Sequence, residues 1–272
     1  NPDLADEFNV YFNLLDQNSW NNIVKLKVDI IINATGYGVV KFETNLGMMY
    51  DINYIMLMTF LEFLESSSNG TSFIQFGTAF EYDLNIERIT EETPCIPKTH
   101  YGISKFLTSN FILNRNCHHV RYLVLRPFAL FGPYENISKI IPYLINSQLK
   151  DEVVNLSSGE QIRDYLFVED LCSFILELCS KDFNNLPKLI NIGSGKPLSI
   201  KELGNIIAQN IGDFNSALWN WNSIPYRANE GNTFYNYSKL AFENGLQPSE
   251  LSKGIRRTIQ FYKDFITGAP AK

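Results

Sequence analysis

The sequence alternates short apolar runs with longer helical patterns along most of its length. Residues 28–32 form a β-branched apolar run, which is typical of a strand covered on both faces of a sheet. Strands separated by helices predict an α/β fold with a mostly parallel, doubly wound sheet. The predicted strands are 28–32, 72–77, 121–126 and 189–193, and the predicted helices are 51–66, 101–115, 138–149, 168–181, 199–211 and 252–266.

Composition and charge exclude several classes of protein. The chain has 272 residues, of which 45% are hydrophobic, so a sizeable core can be buried. Its net charge of −6 argues against a surface for nucleic acid. The longest apolar run, 55–64, contains Glu62 and is far shorter than the ~20 residues that cross a bilayer. We therefore expect a cytoplasmic protein with neither a nucleic-acid nor a membrane partner.

A metal site is not expected. The chain has four cysteines, and the sequence Cys117-His118-His119 is the nearest approach to a ligand cluster. Adjacent residues that enter a strand point to opposite faces, so these three side chains cannot converge on one ion. We interpret the segment as an ordinary loop.

Tyr101 and Lys105 form the strongest chemical pattern in the sequence. A spacing of four on a helix puts the two side chains on one face, about one turn apart. A neighbouring ammonium favours the phenolate, so we expect the pKa of Tyr101 to fall towards the neutral range. The same pair also occurs on ordinary helix surfaces. Thr78 strengthens the catalytic interpretation, because it follows a strand at the carboxyl edge of the sheet, where open α/β folds bind ligands.

These residues belong to a series of motifs that resembles the extended short-chain dehydrogenase/reductases acting on nucleotide sugars. The resemblance covers nearly the whole chain, with its motifs in the family's order. The motifs are Asn33-Ala34-Thr35-Gly36, Thr78 to Tyr82, Tyr101 to Lys105, Arg126 to Pro133, Arg163-Asp164-Tyr165, Asn191 to Gly195 and Pro225 to Glu230, with Asn53 in the helix that follows the first of them.

The resemblance implies a role for each matching residue. Tyr101 would exchange a proton with a sugar hydroxyl or ketone, Thr78 would bond the same oxygen, and Lys105 would hold the cofactor ribose. The other residues implied in binding NAD or NADP are Asn33, Ala34, Thr35, Gly36, Asn53 and Pro127. The residues implied in binding a nucleotide-diphosphate sugar are Thr78, Phe80, Arg163, Arg227 and Glu230, and a guanidinium suits the diphosphate because it donates two parallel hydrogen bonds.

The resemblance also implies two lobes and a symmetric dimer. We expect 1–133 with parts of 155–200 to form a Rossmann-like dinucleotide-binding core. We expect 134–154 and 200–267 to form a smaller C-terminal substrate-binding lobe, and 268–272 to be a tail. The helices 51–66 and 101–115 carry more large apolar residues than one sheet face needs. In the resembling enzymes such helices pair across a two-fold axis, so we expect a homodimer.

The sequence departs from the family pattern at its N-terminal end. The family opens with a strand, a glycine-rich turn and a helix that holds the cofactor pyrophosphate. That first βαβ unit has no counterpart before residue 30, and the segment Gly36-Tyr37-Gly38 lacks the third glycine. We favour a chain that is part of a longer protein over a protein that has lost its cofactor loop. The residue that distinguishes NAD from NADP belongs to that unit, so the choice stays open.

The residues Ala79 and Phe80 limit the types of reaction that we expect. They stand where the 4,6-dehydratase branch has an Asp-Glu pair, and Glu81 is shifted by one position. Without carboxylates there, water elimination is not expected, and redox chemistry at C4 remains. Three hypotheses follow: reduction of a 4-keto-deoxysugar nucleotide for surface polysaccharide synthesis, nucleotide-sugar 4-epimerisation with retained NAD, or non-catalytic binding of sugar nucleotides.

Overall fold

The computed structural model describes residues 10–40, 42–67, 70–226 and 233–268. The helices are α1 (Gln17–Leu26), α2 (Leu46–Tyr50), α3 (Met56–Ser67), α4 (His100–Leu113), α5 (Ile140–Leu149), α6 (Val168–Cys179), α7 (Ile200–Ile211), α8 (Leu240–Glu243) and α9 (Leu251–Thr267). The strands are β1 (Ile30–Asn33), β2 (Thr71–Phe76), β3 (Arg88–Ile89), β4 (Val120–Pro127), β5 (Ala129–Phe131), β6 (Val154–Asn155), β7 (Ile162–Arg163), β8 (Tyr165–Phe167), β9 (Leu189–Ile192), β10 (Leu198–Ser199), β11 (Trp219–Asn220) and β12 (Tyr235–Asn236).

The chain divides into two compact units. The first comprises the described residues up to Glu81, with Pro97–Arg126 and Lys181–Ile190. The second comprises Tyr82–Ile96, Pro127–Ser180 and the described residues from Asn191 onward. This structural division passes between Arg126 and Pro127. The assignment of a cofactor core and a sugar lobe within the chain stays a prediction.

The main sheet confirms the α/β class. Its four strands have the order β1-β2-β4-β9. Strand β2 runs parallel to β1, with Ile31 opposite Phe73, and parallel to β4, with Ile74 opposite Leu123. Parallel neighbours need crossover connections, and α3 and α4 supply them between β1, β2 and β4. The carboxyl ends of β1 and β2 therefore open towards the same edge of the sheet.

The first unit has its own core, which includes a helix that the sequence did not predict. Helix α1 begins after Asp16, whose carboxylate accepts a hydrogen bond from the Asn18 amide at 3.1 Å. Trp20 is buried, and its ring lies 5.4 Å from that of Phe60 on α3, centroid to centroid. Part of the extra apolar face of α3 is therefore covered by α1.

The predicted helix 51–66 consists of a π-helical turn and α3, and the helical segment begins earlier, with α2 at Leu46. Between α2 and α3 the chain makes one π-helical turn, Asp51–Ile55, with Asn53 buried at its centre. Single π-turns inside helices occur frequently at functional sites. The other predicted helices agree with the structure to within two residues at each end. None of the helices in the described residues is long and apolar enough to span a bilayer.

The second unit combines short strand pairs with a helical core. Strand β5 pairs with β8 in parallel, and β7 pairs with β10 antiparallel. Helices α5, α7 and α9 pack on one another around a buried apolar cluster. The members of this cluster include Phe131, Leu144, Ile145, Phe167, Leu203, Ile207, Trp219 and Ile255.

Candidate active site

Thr78, Tyr101 and Lys105 come together within the first unit. Thr78 follows β2 at the carboxyl edge of the sheet, and Tyr101 and Lys105 lie on the first two turns of α4. Thr99 caps this helix, since its hydroxyl accepts a hydrogen bond from the Gly102 amide at 3.0 Å. The Thr78 side chain lies close enough to the Tyr101 phenol to lower the pKa of that phenol. Two hydroxyl groups are thus presented side by side.

Gly102 allows α4 to approach the Thr78 turn closely. A Cβ atom at this position would lie 2.4 Å from the main-chain oxygen of Phe80. Any larger residue would therefore push the helix away from the turn 79–81. The glycine that follows Tyr101 is needed to bring the phenol to Thr78.

The electrostatics of Tyr101 differ from the expectation. Burial raises the pKa of the phenol to about 12, the Thr78 hydrogen bond lowers it, and the carboxylates Glu81 and Glu43 raise it further. Burial also lowers the pKa of the Lys105 ammonium to about 8, against an opposing effect of Glu81. The predicted lowering of the Tyr101 pKa is wrong for this structure, because desolvation of the phenolate outweighs the lowering effect of Thr78.

The segment after β1 is held beside Lys105. The Asn33 side chain donates to Gln75 Oε1 at 2.8 Å and accepts from the Thr35 amide and hydroxyl. A Cβ atom at Gly36 would lie 3.9 Å from Lys105 Nζ. Ala34, Thr35 and Gly36 are exposed and free to meet a ligand.

Asn53 fixes this segment from the π-turn. Its side chain accepts from the Tyr37 amide at 2.9 Å and donates to the Tyr37 carbonyl at 2.8 Å. It also donates to Ser104 Oγ at 2.9 Å, on α4 between Tyr101 and Lys105. Asn53 thereby ties the loop that follows β1 to the helix that carries the phenol. A direct contact of Asn53 with cofactor stays a prediction.

Glu81 is the residue whose importance the sequence did not reveal. Its carboxylate is fully buried and pairs with Arg126, whose Nε and Nη2 donate to Oε2 at 2.8 and 2.7 Å. Phe80, in contrast, is 43% exposed beside Thr78 and remains a predicted substrate contact. An acidic residue three positions after Thr78 is the only sequence signal that could have pointed to this pair.

The remaining predicted ligand residues lie in the second unit or outside the described residues. Pro127 ends β4, and Arg163 on β7 is half-buried with its guanidinium 4.1 Å from the centre of the Phe234 ring. Arg227 and Glu230 fall outside the residues that the structure describes. Their roles stay predictions.

Asp164 explains why two of the motifs occur together. Its carboxylate accepts hydrogen bonds from the Ser194 amide at 2.7 Å, the Ser194 hydroxyl at 2.6 Å and the Gly195 amide at 3.1 Å. Gly193 must be glycine here, because a Cβ atom would lie 2.3 Å from Asp164 Oδ2. The hydrogen bonds of Asp164 therefore join the Arg163-Asp164-Tyr165 motif to the Asn191–Gly195 motif.

Comparisons with known proteins identify the family of this chain. Residues 2–193 match the model of the NAD dependent epimerase/dehydratase family. The chain belongs to this family, which confirms the resemblance to the extended short-chain dehydrogenase/reductases.

Two curated relatives and one solved structure illustrate the match. The chain is 28% identical over 137 residues to GDP-6-deoxy-D-talose 4-dehydrogenase of Aggregatibacter actinomycetemcomitans, covering 49% of this chain and 45% of that protein. It is 24% identical over 255 residues to CDP-abequose synthase of Salmonella typhimurium, covering 89% and 82%. The UDP-glucose 4-epimerase of Thermotoga maritima has the same fold, with a TM-score of 0.81 at 20% identity over 94% of this chain and 84% of that one.

Proposed function

We propose that this protein is an NAD(P)-dependent oxidoreductase that reduces a 4-keto-deoxysugar nucleotide at C4, for surface polysaccharide synthesis. The observation that carries the proposal is the placement of Tyr101 and Lys105 on one face of α4 with Thr78 beside the phenol, in a chain of the NAD dependent epimerase/dehydratase family. The relative named as a 4-dehydrogenase of a GDP-6-deoxy sugar supports chemistry at the same carbon.

A Tyr101 phenol that keeps its proton can serve as the acid in the reducing direction. Reduction of a ketone needs an acid that donates a proton to the carbonyl oxygen as hydride arrives at carbon. With a pKa of about 12, the Tyr101 phenol keeps its proton at neutral pH. Thr78 would hold the same oxygen within reach. Epimerisation instead begins with oxidation, in which the tyrosine must accept a proton from the sugar hydroxyl.

Lys105 fits a dinucleotide cofactor. Its side chain is 3% exposed, and within the part of the chain that the structure describes no residue accepts a hydrogen bond from its ammonium. A buried cation without acceptors is costly, so a ligand with hydroxyl groups would stabilise it. Lys105, Asn33 and the exposed 34–36 segment would hold the ribose and nicotinamide end of NAD(P), which supplies the hydride.

The environment of Glu81 supports redox chemistry without dehydration. Both oxygens of this carboxylate accept hydrogen bonds inside the protein, and Ala79 is buried. No acid–base pair is then available at 79–80 to move the protons of water elimination. With water elimination excluded, the reactions that remain are reduction and epimerisation at C4.

The nucleotide end of the substrate is assigned to the second unit. Arg163 carries a guanidinium suited to a diphosphate, and Arg227 and Glu230 are its predicted partners there. The two curated relatives are named for a GDP sugar and a CDP sugar. A nucleotide-diphosphate sugar is therefore the substrate class that we propose, without a choice of base.

A homodimer through 51–66 and 101–115 completes the proposal. Ile55, at the end of the π-turn, is 50% exposed, and Phe111 on α4 is partly exposed. These are apolar groups that α1 leaves uncovered, and a second copy would bury them across a two-fold axis.

The experiment that tests the function is incubation of the intact protein with 4-keto-6-deoxy nucleotide sugars and their 4-hydroxy counterparts. A reductase consumes one equivalent of NADH or NADPH for each keto sugar. An epimerase interconverts the hydroxy sugars with no added reductant. Absence of turnover with CDP, GDP, UDP and dTDP sugars, in protein that binds them, would favour the non-catalytic hypothesis.

A further inference from the structure

Glu81 collects hydrogen bonds from three separate elements. Its Oε1 accepts from the Thr78 amide at 2.9 Å and from Ser109 Oγ at 3.0 Å, and its Oε2 accepts from the Arg126 guanidinium. Charged pairs of this kind are costly to bury unless their hydrogen bonds are satisfied. Here every partner is supplied, and the carboxylate is 0% exposed.

The three donors belong to the parts that build the catalytic site. Thr78 follows β2, Arg126 lies near the end of β4, and Ser109 lies on α4. Tyr101, Lys105 and Ser109 are spaced by four residues, so they share one face of this helix. The Glu81 carboxylate therefore links the Thr78 turn, through hydrogen bonds, to the face of α4 that carries Tyr101 and Lys105.

Gly77 makes room for this arrangement. A Cβ atom at this position would lie 2.4 Å from Glu81 Oε1, and 3.1 Å from both Ser109 Oγ and Arg126 Cγ. The carboxylate can thus pack directly against the backbone where β2 ends. The sequence Gly77-Thr78 places the catalytic hydroxyl and the space for its support in adjacent positions.

We propose that Glu81 is a positioning residue for the reaction, which holds the Thr78 turn and helix α4 in the register that places Thr78 beside Tyr101. This inference rests on the proposed function, because Thr78 and Tyr101 are taken there to act on one substrate oxygen. It adds a residue that touches neither substrate nor cofactor and acts through both hydroxyl groups.

The charge of Glu81 gives the role a distinct signature. Its carboxylate raises the pKa of Tyr101 and of Lys105. The other charged group that acts on the pKa of Tyr101 is Glu43, from the loop before α2, and Lys105 shares the helix face of Tyr101 on α4. Loss of the Glu81 charge should therefore shift the pH at which Tyr101 loses its proton, which a purely structural ion pair elsewhere would leave unchanged.

The chain contains a matched control for this ion pair. Arg115 also donates through Nε and Nη2 to one glutamate, Glu65, at 2.6 Å to each oxygen. Tyr122 donates to the same carboxylate at 2.6 Å. Glu65→Gln disturbs a comparable arginine–carboxylate pair on α3 without touching Thr78 or Ser109.

The test compares Glu81→Gln, Ser109→Ala and Glu65→Gln in the intact protein, with kcat and KM measured across pH. We expect Glu81→Gln to lower kcat by about 10- to 100-fold, since small misplacements of reacting groups cost this much. KM for the nucleotide sugar should change less than threefold. The alkaline limb of the kcat profile should move down by about one pH unit. Glu65→Gln should keep the wild-type profile.

The Ser109→Ala variant tests the same proposal if the Glu81→Gln protein does not fold. It leaves the Glu81–Arg126 pair intact and removes only the hydrogen bond to α4, so we expect a several-fold loss of kcat with little change in Tm. Wild-type kcat and pH profile in a folded Glu81→Gln protein would overturn the proposal, and so would wild-type kcat in Ser109→Ala.

An activity-independent measurement separates this proposal from the proposed function. Hydrogen exchange of the backbone amides at 76–82 should be at least tenfold faster in Glu81→Gln than in Glu65→Gln. If the wild-type protein turned over no sugar nucleotide, the proposed function would fail, and equal exchange in the two variants would separately refute the positioning role.

Discussion

The Thr78 side chain lies beside the Tyr101 phenol at the carboxyl edge of the sheet and lowers the pKa of that phenol. This pairing joins the first turn of α4 to a residue shortly after β2, 23 positions earlier in the chain. Each hydroxyl is oriented by a separate support, since Gly102 lets the helix approach and Glu81 holds the Thr78 amide. The pair is the feature on which the proposed chemistry depends.

Tyr101→Phe should abolish turnover while leaving the fold intact. The change removes one hydroxyl and its proton, and loss of an acid–base group costs about 10²–10⁴ in rate. Steady-state kinetics and a melting curve measure the two effects. Tyr122→Phe is the matched control, because it also removes a phenol that is hydrogen-bonded within the first unit. Near-normal activity of Tyr101→Phe would remove this residue from the mechanism.

Lys105 should make stability depend on alkaline pH. Burial lowers its pKa from 10.5 to about 8, so between these values the unfolded chain binds more protons than the folded one. The stability contributed by this group is then present above pH 10.5 and is lost as pH falls through 8. Relative to Lys105→Met, the wild-type free energy of unfolding should rise by roughly 3 kcal/mol at most from pH 8 to 10.5. A difference that stays constant over this range would contradict the burial of a titrating ammonium.

Arg163→Ala and Arg227→Ala should each weaken nucleotide-sugar binding far more than cofactor binding. The reason is that both arginines are predicted to meet the diphosphate, and charge-assisted hydrogen bonds are worth about 1.5–3 kcal/mol. Calorimetric titration with each ligand separates the two effects. The opposite preference would overturn the assignment of these residues to the substrate.

The protein should be a homodimer. Ile55 and the exposed part of Phe111 lie in the two helical segments that we expect to pair. Light scattering of the full-length protein at micromolar concentration measures the mass directly, and Ile55→Glu should shift it towards the monomer. A monomeric wild-type protein would contradict this prediction.

Much of the sheet and of the catalytic helix could be predicted from local patterns. The β-branched run at 28–32 and the apolar periodicity of 101–115 indicate β1 and α4 because burial imposes those patterns on the sequence. The spacing of Tyr101 and Lys105 is a local geometric fact once the helix is known. Thr78 follows from the position where β2 ends.

The features that local patterns missed depend on distant partners. Helix α1 contains three asparagines, and its stability comes from a capping Asp16 and from Trp20 packing on α3. The π-turn around Asn53 is fixed by hydrogen bonds to Tyr37 and Ser104. The burial of Glu81 requires Arg126, which is 45 residues away in the chain. The raised pKa of Tyr101 likewise reflects how deeply the folded unit encloses it.

Transfer of deuterium to the sugar from NADH or NADPH that carries deuterium at both C4 positions tests the central claim most directly. The intact protein and a 4-keto-6-deoxy nucleotide sugar are mixed, and the product is analysed by mass spectrometry and by NMR at C4. We predict one deuteron at C4 for each cofactor oxidised, and none with Tyr101→Phe. Product that carries no deuterium at C4, or full transfer in the Tyr101→Phe protein, would contradict the account.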